Sequence, residues 1–436
     1  MTIADRVTAL RGKVFARVNG DEGIPVASRE NGIAEFTRLY AHPAANGRSH
    51  GAGLSDLFWY WLAPGPQVHQ EHLEPGPRYD EVARTTRTIL ASRTKPEWDA
   101  LVTRCAAHVL TGRPVNRLVR LRDLMMPIWA EVYYELVFRE PCPAAARRLI
   151  VGHADDVVSA LKCTRLRHMR RRQRLTRYLR GRLDAVPFTL PRLLSLDEQA
   201  WYLQGTFFNT AVVQMSEAMA HVLLVLAERS DEQARVRSAD DYFERVVNET
   251  MRVYPLFGIA HRITTSDIDA SPPIPAGSVL LFDYPAFHHA DVGDSFDVSR
   301  WHGDAARTLN FIPYGISANR PCPARGVAPT GLQAATREVL RRFRLASSVA
   351  HTRSLPNRAP ALLLDVSDTR QHAAALAALR LADRWADVGR SIVQLVLGSY
   401  MVWDARRKGL CRRYFAEHPE HRPRIEHRPR TAEQAR

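Results

Sequence analysis

Five cysteines (Cys105, Cys142, Cys163, Cys322 and Cys411) are scattered along the 436 residues without the paired spacing of a disulfide framework or a zinc site. Each must therefore be judged by its neighbours. Cys322 lies in Arg320-Pro321-Cys322-Pro323-Ala324-Arg325-Gly326, where two arginines and loop amides would favour the thiolate, the form of cysteine that ligates metals. The other four read as ordinary buried cysteines. Upstream, Glu249 and Arg252 stand three positions apart, so a carboxylate and a guanidinium share one helix face and can form a forked pair. Alone, this fits any surface ion pair; the residues that follow change the reading.

Glu249-Thr250-Met251-Arg252-Val253-Tyr254-Pro255 is followed by His261-Arg262, by Ile274-Pro275-Ala276-Gly277, by Phe296-Asp297-Val298-Ser299-Arg300-Trp301 and by Phe311-Ile312-Pro313-Tyr314, which leads into the Cys322 loop. This order resembles the cytochrome P450 signature over about residues 58–364. The resemblance implies a heme b cofactor with Cys322 as its axial thiolate. It implies a structural triad of Glu249, Arg252 and Arg300, and heme-propionate contacts from Arg320, from His261 or Arg262, and from Arg84. A thiolate ligand pushes electron density onto iron and favours cleavage of a bound O–O bond. The loop departs from the family pattern. Gly315 and Ala318 stand where a Phe and a Gly are usual, Tyr314 restores the aromatic if one residue is inserted, and Ala324 replaces a Gly.

A further departure falls on the oxygen-activating pair, usually an acid followed by Thr. Gapless alignment with the family places it at Val213-Gln214, and one helical turn earlier lie Asn209 and Thr210. The candidates for work on this side are thus Thr210, Gln214 and Asn209, none of which relays a proton by ionising as a carboxylic acid does.

These residues need a scaffold. Ser195-Leu196-Asp197-Glu198 has capping-box form and opens a proline-free stretch to Arg229, apolar around most of its circumference, which predicts a buried central helix about 51 Å long. On it, Phe207, Phe208, Val212 and Val213 would line an apolar pocket or simply fill the core. A second helix is predicted over 241–254, ended by Pro255, with strands over 258–264 and 278–282. The first 150 residues read as short helices between Pro and Gly punctuation. The fold class is mainly α with a small β component. A heme-thiolate domain is expected over 1–365, and an alanine- and leucine-rich helical extension with a basic, disordered tail over 366–436.

The net charge of +15 is concentrated: residues 162–183 hold one Lys and nine Arg and no acid. Apolar residues recur there at helical spacing, so one amphipathic helix with a basic outer face is expected, a solvated face or a dock for an acidic protein or membrane surface. No stacking aromatics accompany the arginines, which argues against nucleic acid. Residues 1–20 alternate charged and apolar types and lack the run of a signal or anchor, so a cytoplasmic protein with no membrane span is expected. The helices of 371–415 would pack on the chain's own domain, a partner or a second copy.

The functional expectation is a monooxygenase oxidising a small organic molecule, fed electrons by a separate ferredoxin-type partner. Two alternatives stay open. One is a heme-thiolate enzyme of other chemistry (peroxide-using, dehydrating, isomerising or bond-forming), favoured by the missing acid; the other is a catalytically silent helper.

Overall fold

The computed structural model describes residues 6, 10, 22–26, 32–238 and 240–425. Apart from residues 6 and 10, the expectation for residues 1–20 lies outside the described residues, as does the tail over 426–436. The described chain is mainly helical. In chain order the principal helices are α1 (Ile33–Ala41), α2 (Gly53–Leu62), α3 (Pro77–Leu90), α4 (Lys95–Leu110), α5 (Leu121–Phe138), α6 (Ala144–Leu161), α7 (Met169–Arg180), α8 (Leu196–Glu228), α9 (Ser230–Ser238), α10 (Asp240–Val253), α11 (Tyr284–His289), α12 (Ala328–Arg342), α13 (Ala373–Lys408) and α14 (Leu410–Glu417). Two small sheets flank them. β1 (Ile24–Val26) runs parallel to β4 (Val279–Asp283), which pairs antiparallel with β3 (Ile259–Ile263). In the second sheet, β6 (Pro360–Asp365) lies between β2 (Arg117–Arg120) and β5 (Phe343–Ala346), antiparallel to both.

The predicted central helix is present as α8. Ser195 and Glu198 close the capping box at its start, satisfying orphan amides of the first turn. Val222, Leu223, Leu224 and Leu226 are fully buried at successive angles around its axis, which is why no polar stripe marks its sequence. It packs against α5, α10 and α12. Residues Thr206–Ala211 are wound as a π-helix, the wide turn that often marks a functional position. α8 is the one described helix long and apolar enough to cross a membrane, and 83% of its most apolar window is buried inside the protein.

The expectation for residues 162–183 holds over part of its length: α6 ends at Leu161, and α7 buries Arg172, Leu175 and Leu179 while Arg170, Arg171, Arg174, Arg177 and Arg180 face outward. Part of the charge is paired: Lys162 with buried Glu217, Arg172 with Asp156, Arg165 with Asp155, Arg180 with Asp197 and Arg182 with Glu140. Arg172 is wholly buried and also donates to the carbonyls of Trp61 and Ala63. The missing acids of the segment are supplied from elsewhere in the chain.

The C-terminal helices dock on the N-terminal region. Met401, Val402 and Ala405 of α13 pack with Leu57, Tyr60 and Trp61 of α2, and Cys411 and Phe415 of α14 pack on Trp59. Asp56 fixes the junction, accepting from the Cys411 amide at 2.8 Å and the Arg412 guanidinium at 2.7 Å. Gly409, at φ +51°, makes the turn between the two helices, a left-handed conformation that suits glycine.

Candidate functional site

The forked pair is buried. On α10, Arg252 donates from Nε and Nη2 to the two Glu249 carboxylate oxygens at 2.8 Å each. The same carboxylate accepts from Arg300 Nη1 at 3.0 Å, Trp301 Nε1 at 2.9 Å and the Asp297 amide at 2.9 Å. Glu249 and Arg252 have no solvent exposure, and the remaining Arg252 donors reach the carbonyls of His288, Gly293 and Ser295. Five donors on one carboxylate tie the loop of residues 293–301 to α10.

That loop leads to Cys322. Its amide donates to the Tyr314 carbonyl at 2.9 Å, closing the turn that begins at the aromatic eight residues earlier. Burial pushes the Cys322 thiol up to about 11, against the amides of Ala324 and Arg325, which hydrogen-bond the sulfur and favour the thiolate. The expected help from flanking guanidinium groups is not there. Arg320 reaches away, donating to the Leu73 carbonyl at 2.6 Å and lying 3.6 Å over the Tyr79 ring, and Arg325 reaches Ser317. Only the amides serve the sulfur.

One cavity brings the sequence candidates together. The Cys322 loop contributes Pro313, Tyr314, Gly315, Arg320, Cys322 and Ala324, and α8 contributes Phe207, Thr210, Ala211, Gln214, Met215 and Ala218. Thr210 and Gln214 both line it, one helical turn apart. Asn209 does not; it is buried on another face of α8. Phe208, Val212 and Val213 likewise belong to the core. Arg262 lines the cavity, whereas His261, its neighbour on β3, faces the other way and stacks on Phe58 with its Nε2 2.8 Å from the Arg48 carbonyl. Arg84 is corrected: α3 turns Val82, Ala83 and Thr86 inward, and the Arg84 side chain is exposed to solvent.

Two features of the site carry no signal in the sequence order. Arg48 is wholly buried, and Arg48, Arg262 and Arg320 repel one another electrostatically while none forms an ion pair among the described residues. Buried Nε atoms of all three, and Nη2 of Arg320, have no hydrogen-bond partner. Three buried guanidinium groups with idle donors fit an anionic ligand with more than one charge. The second feature is His69, from the turn before α3. Its Nδ1 accepts from the Glu71 amide at 3.2 Å, which leaves the proton of the neutral ring on Nε2, 2.6 Å from Thr210 Oγ1. Burial lowers the His69 pKa, against the Glu71 carboxylate that raises it, and both residues line the cavity.

Burial sets a pH dependence. It holds His261 and His288 down to about 4 from an ordinary 6.5, helped by Arg262 in the first case and His289 in the second. Their folded-state pKa values are depressed, so the stability from keeping them neutral is complete above about 6.5 and is lost as pH falls toward 4. Each is expected to contribute about 2 kcal/mol of destabilisation between pH 7 and pH 5. Urea denaturation at the two pH values measures this, and equal midpoints would count against neutral burial.

No protein-family model matches the chain. Among curated proteins, a cyclooctat-9-en-7-ol 5-monooxygenase from Streptomyces melanosporofaciens is 28% identical over 88 residues, 18% of this chain and 19% of that protein. Solved structures match far more of it. A 6-coordinated cytochrome P450 from Thermus thermophilus superposes with a TM-score of 0.61 at 16% identity, over 83% of this chain and 98% of that one. A zebrafish cytochrome P450 solved with abiraterone gives 0.61 at 16% identity, over 78% and 93%. A mutant of P450 EryK with erythromycin B gives 0.58 at 18% identity, over 85% and 99%. The chain has the cytochrome P450 fold.

Proposed function

We propose that this protein is a heme-thiolate oxidoreductase that binds heme b through Cys322 and oxidises a small apolar organic molecule, as a monooxygenase fed by a ferredoxin-type donor. The observation that carries the reading is one cavity with a cysteine sulfur on its loop wall, Thr210 and Gln214 from α8, and Arg262 and Arg320 on its lining, with Arg48 close enough to repel both and buried idle donors on all three. Arg48, Arg262 and Arg320 suit the two propionates, and the Cys322 loop suits the iron. Leu90, Phe207, Met251, Leu256 and Phe257 supply apolar lining for a substrate. The absorption spectrum of the reduced protein with carbon monoxide tests this: a thiolate-type red shift supports it, and a protein that takes up no heme is the silent helper instead.

Heme held there supplies one-electron and dioxygen chemistry. The chain's own task is proton supply, and the usual acid of the distal helix is absent. His69 fills that role in this reading. Its Nε2 proton is donated to Thr210 Oγ1, so the threonine hydroxyl hydrogen is free to point into the cavity. When Thr210 gives up its proton, the Nε2 proton of His69 moves to Thr210 Oγ1 as Nδ1 takes a proton from solvent in place of the Glu71 amide, so the ring stays neutral and changes tautomer.

Thr210→Val and His69→Phe are each expected to lower the fraction of electrons that reach product by about 100-fold, the low end of positioned acid–base catalysis. The double variant should be no worse than either single one, because the two act as a unit. Gln214→Leu should do less. A His69 variant that stays fully coupled while Thr210→Val fails would remove the histidine from the relay. If both stay coupled, the peroxide-using or non-oxidative reading takes precedence.

A further inference from the structure

α13 is apolar on both sides. Its buried positions include Leu379, Met401, Val402 and Ala405 with polar Asp383, Ser391, Gln394 and Asp404, while Leu381, Trp385, Val396 and Trp403 on the outer side are between 57% and 72% exposed and Ile392 and Tyr400 nearly half so. A helix lying on a globular domain ordinarily keeps its outer side polar. From Leu381 to Trp403 the outer apolar stripe runs about 33 Å at 1.5 Å per residue, too long and continuous to be scattered surface residues.

Spacing and charge indicate what covers it. Leu381, Ile392 and Trp403 are eleven residues apart, as are Trp385 and Val396. An eleven-residue period drifts by about 20° per repeat around the helix, with the opposite hand to the seven-residue repeat of a left-handed coiled coil. A seven-residue seam through Leu381, Trp385, Val388, Ile392 and Leu395 would continue to Ser399 and to Val402, which is already buried against α2. Over the two eleven-residue steps from Leu381 to Trp403 the stripe turns by only about 40°, so it stays on one side of the helix and can lie on a surface. Its rings are two Trp and one Tyr, the residues whose apolar bodies and polar edges suit a membrane interface.

The charges of α13 that lack an ion pair among the described residues have one sign. Asp383 pairs with Arg390, and Asp404 with Arg407 and Lys408; Asp387 also pairs with Arg390. Arg380, Arg384 and Arg406 are exposed and have no ion pair among the described residues. A second copy would bring no unpaired carboxylate of α13 to meet them, but an anionic headgroup layer would. We infer that α13 lays this face on an anionic lipid surface, Trp385, Val396 and Trp403 entering the interface and Arg380, Arg384 and Arg406 binding headgroups. The inference does not depend on the heme reading.

The test is co-sedimentation of the full-length holoprotein with vesicles of phosphatidylcholine alone or mixed with phosphatidylglycerol, with tryptophan emission recorded. Binding to the mixed vesicles, weakened by salt and accompanied by a blue shift, is expected. Trp385→Ser with Trp403→Ser, and separately Arg380→Glu with Arg384→Glu, should each weaken binding by at least about tenfold, with unfolding midpoints unchanged because these side chains are exposed. Three results would overturn the inference. They are no binding to mixed vesicles at low salt, undiminished binding in both variants, or a dimer in solution that the tryptophan variant dissolves without any lipid binding.

Discussion

Glu249→Ala is expected to leave little folded protein. The carboxylate it removes accepts two hydrogen bonds from Arg252 and one each from Arg300, Trp301 and the Asp297 amide, at 2.8 to 3.0 Å, with no solvent to replace them. Three backbone carbonyls still accept from Arg252, but its charge would stand alone in the interior. Breaking a buried pair in this way costs about 3–5 kcal/mol, against about 5–15 kcal/mol for a whole domain. Arg300 is partly exposed, so Arg300→Ala should cost less: its charge leaves with it, and Arg252 still neutralises Glu249. Urea midpoints and soluble yield check the ranking. A Glu249→Ala protein as stable as wild type would show that the loop of residues 293–301 does not depend on this carboxylate.

The elements around this triad were legible because their signals are local. α8 begins at a capping box and stays apolar on all sides, and α10 ends where Pro255 forbids another turn. The strands were read at 258–264 and 278–282 and lie at Ile259–Ile263 and Val279–Asp283, one residue away at every end. Arg84 shows a legible signal overlooked: it is two residues from both Val82 and Thr86, which places it across the helix from the inward face. Asn209 faces away for a different reason: it is one residue, roughly a quarter of a turn, from cavity-lining Thr210. The π winding of residues 206–211, a change from i→i−4 to i→i−5 bonding, leaves no mark on residue types.

What stayed hidden depends on tertiary partners. Arg48 lies between Gly47 and Ser49 with nothing beside it to suggest burial, and it meets Arg262 and Arg320 only when β3 and the Cys322 loop are folded. His69 finds Thr210 across 141 residues. In residues 162–183 the basic outer face was legible, but the pairing of Lys162, Arg165, Arg172, Arg180 and Arg182 was not, because their acids lie at Glu217, Asp155, Asp156, Asp197 and Glu140. In α13 the apolar spacing was visible, but which face turned outward was not. Met401, Val402 and Ala405 are anchored on α2, but Asp383 and Asp404 are buried as well, and their partners Asn357 and Lys408 do not announce a core.

Cys322→Ser is expected to abolish the thiolate signature completely, because no other sulfur can take its place. Burial pushes the thiols of Cys105 and Cys142 up to about 12 and that of Cys411 higher still. Cys411 is tied to the Ser49 carbonyl at 3.4 Å, and none of the four other cysteines lines the cavity. A serine hydroxyl in the same turn meets the same Ala324 and Arg325 amides, but it is a harder ligand and its proton is far more difficult to remove. The arginine cradle is separate from the sulfur, so the variant should still take up heme, more weakly, with its reduced carbon monoxide band at the position of a heme without thiolate. Normal heme content with an unshifted band would mean that the ligand is not Cys322. Loss of all heme together with an unfolded far-ultraviolet spectrum would be uninformative on its own, so Cys322→His serves as the second variant. It offers a neutral nitrogen from the same loop and should give a histidine-type band if, and only if, this side chain faces the iron.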